Sequence, residues 1–134
     1  MERLVVTLLH WLVASSGYPL PTELPELRQV PGVEMPCNCL AFYEYARVVQ
    51  GYGVSLHRSG RIWMSKDVDL DTDRGRSILL HELVHAAQAF HGPVPYGTHE
   101  WHAREAEAYA LQSHYLQQQG VFDDTASRYS RRDD

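Results

Sequence analysis

Apolar positions along this chain gather in short runs separated by polar, Pro-rich and Gly-containing stretches. The first run, Leu4-Val5-Val6-Thr7-Leu8-Leu9-His10-Trp11-Leu12-Val13-Ala14, predicts a helix that Gly17 and Pro19 end. It makes a poor secretory signal: Glu2 cancels Arg3, His10 and Trp11 interrupt the run, and Ala14-Ser15-Ser16 is a loose cleavage site. Five of the seven prolines, Pro19, Pro21, Pro25, Pro31 and Pro36, follow and predict an extended, irregular wrap over the surface. Across residues 38–50, Leu40, Ala41, Phe42, Tyr45, Ala46, Val48 and Val49 recur at helical spacing and predict a second helix capped by Gly51. Residues 52–57 and 61–65 flank the polar Arg58-Ser59-Gly60 and predict a β-hairpin with Ile62-Trp63-Met64 in its second strand.

Asp67, Asp69, Asp71 and Asp73 stand at alternate positions in a polar loop. The loop lacks the Gly and the closing Glu of an EF-hand, so it reads as solvated, with Asp71 or Thr72 capping the helix that follows. That third helix is predicted over residues 74–90 and stops at Gly92-Pro93. After a loop to Thr98, a fourth helix is predicted over 99–119 and closed by Gly120. Residues 1–122 therefore read as a single α+β domain, and the polar tail 123–134 is expected to fray.

Composition narrows the function. A chain of 134 residues, 44% hydrophobic, buries about two-thirds of its unfolded surface and holds a core without staples. Twelve Lys and Arg against 17 Asp and Glu leave a net charge of −5, which argues against nucleic acid as a partner. No apolar run approaches the roughly 18 to 20 residues that span a bilayer, so no membrane partner is expected. Cys37 and Cys39 are too few and too close for a disulfide framework, and no second pair completes a sulfur site. They read as two reduced thiols at a helix start, and a cytoplasmic location is expected ahead of a secreted one.

The third helix carries His81-Glu82-Leu83-Val84-His85, an HExxH pattern. Residues four apart share a helix face, so two imidazoles can converge on one cation while Glu82 sits beside the open coordination position. Even in a chain with eight histidines, chance predicts only about 0.03 such matches. Ile78, Leu79, Leu80, Leu83, Val84, Ala86 and Ala87 make the helix largely buried, where ionisable side chains need partners or a metal.

A catalytic zinc needs a third protein ligand. His91 would extend the motif to HExxHxxQxxH, but Gln88 stands where the metzincin pattern has the Gly that turns the chain back. In a continuous helix His91 is rotated by about 240° from His85, and no Met follows the motif. The fourth helix offers Glu100, Glu105 and Glu107. Glu105 shares a face with Trp101, Ala108, Tyr109, Gln112 and Tyr115, a semi-apolar stripe that should turn inward. Glu107, about 200° away, reads as a solvated residue with Arg104 three positions back. Small Ala86, Ala87 and Ala108 would let the two helices approach closely. Glu105 is therefore the predicted third ligand, with Glu100 second.

HExxH followed by Glu105-Ala106-Glu107-Ala108 on the next helix resembles the gluzincin metallopeptidases, most closely their small, minimal domains. Glu100-Trp101-His102-Ala103 fits the same Glu-x-x-Ala context formally. The resemblance extends over about residues 52–116. It implies a zincin-like α+β fold, in which a small antiparallel or mixed sheet accompanies an active-site helix and a second ligand-bearing helix. It also implies Zn2+ held by His81, His85 and Glu105, and a peptide or protein substrate laid along an edge strand at Ile62 to Ser65. Several gluzincins carry an acidic or amide residue where this chain has Tyr109, whose hydroxyl either supports a ligand His or faces the substrate oxyanion. Zinc chemistry then makes Glu82 the general base for a zinc-activated water. Tyr96, His99, His102 and Tyr109 are the candidate oxyanion donors. The alternative is a catalytically silent zincin-like module that binds metal and acts through a partner or in regulation.

Overall fold

The computed structural model describes residues 1–21, 23–45, 49–51, 54–56 and 60–122. In chain order these form helix α1 (Glu2–Ser16), strands β1 (Glu26–Val30), β2 (Ala41–Glu44), β3 (Val49–Gly51), β4 (Val54–Leu56) and β5 (Arg61–Ser65), then helices α2 (Asp73–Gln88) and α3 (His99–Gln118). The class is mixed α+β, with three helices and a small three-stranded sheet among the described residues. No described helix is long and apolar enough to cross a membrane.

The sheet has the order β1-β5-β2, with β5 parallel to β1 and antiparallel to β2. This overturns two expectations. The predicted hairpin between residues 52–57 and 61–65 does not form: β4 pairs with β3, and β5 pairs with β1 and β2. Nor is the strand from Ile62 to Ser65 an edge, because both its sides are occupied. Ile62 and Met64 point into the core beneath α2, which explains why so short a segment takes the centre.

The helix predicted over 38–50 is also replaced. Its start is β2 and its end is β3, while residues 46–48 lie outside the described residues. Phe42 is exposed and Tyr43 buried, the alternation of a strand with one face on the core. A short apolar run of this kind fits either period, and pairing with β5 decides. Gly60, which precedes β5, faces the Tyr43 hydroxyl and the Glu44 carbonyl so closely that a Cβ there would collide with both. Trp63 of β5 donates its indole N–H to Glu44 at 3.0 Å, tying β2 further to its neighbour. The Pro-rich wrap contains β1 and the 3-10 turn Gly32–Glu34. Cys37 and Cys39, read as reduced thiols at a helix start, are joined in a disulfide just ahead of β2. Their Cα atoms, 5.3 Å apart, are within bridging range.

Helix α2 is the central element, touching β2 and β5, α1 and α3. Val5, Leu8, Leu9 and Leu12 of α1 join Leu79, Leu80, Leu83 and Val84 of α2 and Ala108 and Tyr115 of α3 in one core with Tyr43, Ile62 and Met64. Thr72 caps α2 by accepting from the Gly75 amide at 3.0 Å. Gly75 rests on the Asp69 carbonyl, leaving no room for a side chain. At its other end α2 tightens into a 3-10 turn, Ala89–His91, before Gly92 turns the chain at φ 87°. Thr98 caps α3 through the Trp101 amide. The tail at 123–134 lies outside the described residues.

Candidate metal centre

His81 and His85 project from one face of α2 towards α3, where fully buried Ala108 allows close approach. Glu105, one turn before Ala108, completes a group able to hold a metal ion, with one ligand atom from each residue and all three within 4.8 Å of one another. The Nε2 atoms of His81 and His85 are 3.2 Å apart. Glu105 Oε1 lies 3.7 Å from His81 Nε2 and in direct contact with His85 Nε2. Ligands about 2.0–2.1 Å from a tetrahedral zinc stand roughly 3.3 Å from each other, so the spacings from His81 to His85 and to Glu105 suit such an ion, while His85 and Glu105 would have to part slightly to admit it.

The outer hydrogen bonds define both tautomers. The Ser77 hydroxyl donates to the Arg74 carbonyl at 2.6 Å, so its oxygen accepts from Gln112 Nε2 at 3.2 Å. That turns Gln112 Oε1 towards His81 Nδ1, 3.0 Å away. Gln88 Nε2 donates to the Arg104 carbonyl and to Glu107, each at 2.9 Å, and this turns Gln88 Oε1 towards His85 Nδ1, also at 2.9 Å. An amide oxygen only accepts, so both Nδ1 atoms carry hydrogen and both Nε2 atoms present lone pairs inward. Two imidazole lone pairs and a carboxylate thus meet in a mostly buried space, an arrangement that one cation satisfies at once. A proton on His85 satisfies only part of it. Burial pulls the His85 pKa down, but the hydrogen bond to Glu105 and the charges of Glu82 and Glu105 outweigh that and raise it. Burial likewise pushes Glu105 up, yet its contacts with both imidazoles bring it down to about 2.

Glu82 stands outside the group of three ligands, close enough to feel the charges of all three, and is only 7% exposed. Burial raises its pKa, partly offset by the neighbouring imidazoles and by a hydrogen bond from the backbone of Tyr43. That bond identifies the side of β2 facing the site. Leu40 O accepts from Ser65 N at 2.9 Å, so by the alternation of an antiparallel ladder Ala41 and Tyr43 direct their backbone groups away from β5. Among the described residues, the edge of the sheet beside Glu82 is therefore β2.

The remaining candidates separate by position. Glu100 is exposed and sits 3.4 Å from the Arg104 guanidinium, and His91 is exposed on the turn after α2, its ring centroid 6.4 Å from that of Tyr18. Tyr96 is 85% exposed and packs at a tilt against Trp101, which also holds the His102 ring edge-on at 4.9 Å. His99 is exposed at the start of α3. Of the four oxyanion candidates, Tyr109 packs directly against a ligand, its ring centroid 4.4 Å from that of His81. The partner of His81 Nδ1 is Gln112 Oε1. The sequence pattern alone does not single out Gln112 and Gln88 as supports of the two imidazoles. Gln112 was on the inward stripe, two turns beyond Glu105, and Gln88 stood three residues after His85, a spacing at which helix side chains meet.

The chain belongs to the DUF6647 family, a domain of unknown function, whose profile matches residues 1–126. No curated protein and no solved structure matches it.

Proposed function

We propose that this chain is a zinc-dependent hydrolase with a zincin-like fold of gluzincin type, cleaving peptide bonds with His81, His85 and Glu105 as metal ligands and Glu82 as general base. The convergence of three lone-pair donors, two imidazoles and a carboxylate, beside a second, buried carboxylate carries this reading. Bound zinc would supply a Lewis acid for the scissile carbonyl and an acidified water. Glu82 receives the proton of the attacking water and returns it to the leaving amine, a task that a carboxylate with a raised pKa suits. The substrate lies along the free edge of β2 instead of along β5. The Tyr43 amide is committed to Glu82, which leaves the backbone groups of Ala41 and the Tyr43 carbonyl for main-chain pairing. Tyr109, packed against His81, is the oxyanion donor in this reading.

The test is zinc analysis of purified protein together with peptide cleavage by wild type and Glu82→Gln. Equal zinc in both with cleavage by wild type alone is the expected result. Equal zinc with no cleavage by either would make the chain a metal-binding module, and no zinc in either would remove the metal from the reading.

A further inference from the structure

The two ligand imidazoles rest on different supports. Behind His81 the chain of donors runs through Gln112 and the Ser77 hydroxyl to a backbone carbonyl, and every group in it is neutral. Behind His85 it runs through Gln88 to the Glu107 carboxylate, which also accepts the hydroxyl of Tyr18. Gln88 is 2% exposed and spends both amide hydrogens, one on Glu107 and one on the Arg104 carbonyl. Glu107 lies at the surface of α3, and Tyr18 belongs to the segment that leaves α1, far from the ligands in sequence. A carboxylate on the nitrogen side of a carboxamide draws electron density towards its oxygen, which becomes the stronger acceptor for an imidazole N–H. The imidazole so held is fixed in orientation and more basic at its opposite nitrogen.

Building on the metal site proposed above, we propose that Glu107 and Tyr18 are positioning residues for His85. The charge of Glu107, relayed through the Gln88 carboxamide, holds His85 with its Nε2 lone pair towards the metal, and Tyr18 holds Glu107 in place. The metal site is thereby coupled to the segment after α1. Tyr18 suits the role of a permanent donor, since burial and Glu107 keep its proton on to about pH 12.

Glu107→Gln keeps the shape and removes the charge. In metal-free protein, nitrogen NMR of the His85 ring should show Nδ1 protonated in wild type and a shift towards mixed tautomers in the variant. Zinc affinity should fall by about tenfold, the lower end for partners of ligand histidines, and the visible spectrum of the cobalt-substituted protein should change. Tyr18→Phe should move the same signals in the same direction by a smaller amount and decides the matter if Glu107→Gln does not fold. Glu100→Gln, which alters another surface carboxylate on α3, should move none of them. Unchanged His85 ring nitrogens in a folded Glu107→Gln or Tyr18→Phe protein overturn the relay. Because that readout needs no metal, it stands apart from the zinc reading, which falls separately if wild type takes up no zinc.

Discussion

The backbone of Tyr43 on β2 donates a hydrogen bond to the carboxylate of Glu82 on α2, so the free edge of the sheet and the HExxH helix meet at one contact. The contact places the carboxylate beside the line an added strand would follow, with the His81 and His85 imidazoles as electrostatic neighbours on its other side. Burial on that side leaves Glu82 readier to accept a proton than a surface glutamate.

Glu82→Gln should therefore separate the proposed catalysis from stability. Loss of a general base costs about 10²- to 10⁴-fold in kcat. Removing a buried carboxylate relieves its desolvation, so Tm should hold or rise. A thermal melt lower by several degrees would instead show that Glu82 serves the fold.

Metal should stabilise the folded chain, because the three ligands converge only when α2 and α3 are packed. At a free zinc concentration of about 100 times Kd the gain is about 2.7 kcal/mol. Denaturant midpoints with and without zinc measure it, and His85→Ala should abolish the difference. A zinc effect of equal size in that variant would place the ion elsewhere.

Gln112→Ala should lower zinc affinity by roughly 10- to 100-fold, since it frees the His81 ring and leaves its Nδ1 hydrogen without an acceptor. A competition titration against a chelating dye reads the change. Affinity equal to wild type would mean that packing against Tyr109 alone orients His81.

Alkaline stability should report on Tyr18. Its pKa lies at about 12 in the folded chain against 10.0 for an ordinary tyrosine, because burial and Glu107 disfavour the phenolate. The folded state holds that proton more tightly, so the contribution is complete below pH 10 and declines as pH rises towards 12. Tyr18→Phe should show a flatter decline in urea midpoint across this window. Some slope should remain, since burial also raises Tyr43 and Tyr115. Parallel curves for the two proteins would refute the assignment.

Gly60→Ala and Gly75→Ala should each destabilise by about 1–3 kcal/mol, the usual penalty for overpacking. The first sets a methyl against the Tyr43 hydroxyl and Glu44 carbonyl, the second against the Asp69 carbonyl. Chemical denaturation measures both, and Gly60→Ala should also disturb the β2 edge and hence any peptide cleavage.

Helices α2 and α3 were legible because their signals are local. Thr72 and Thr98 cap them, Gly92 and Gly120 follow them, and the stripe of Trp101, Ala108, Tyr109, Gln112 and Tyr115 pointed Glu105 inward. The same locality explains why Ala41–Glu44 form a strand where their spacing predicts a helix: their partner, β5, lies some twenty residues away. Glu107 is exposed, as its spacing predicts, but nothing near it in sequence announces its partners Gln88 and Tyr18.

What the amino-acid order settled by itself was the pairing of His81 with His85 and the inward face that carries Glu105, both consequences of a fixed rotation per residue along a helix. Tertiary structure alone decided which strand is the edge, which amides stand behind each imidazole, and that a tyrosine after α1 reaches α3. Those relationships join residues that no backbone period relates, so only the packing of α1, α2, α3 and the sheet around one core could define them.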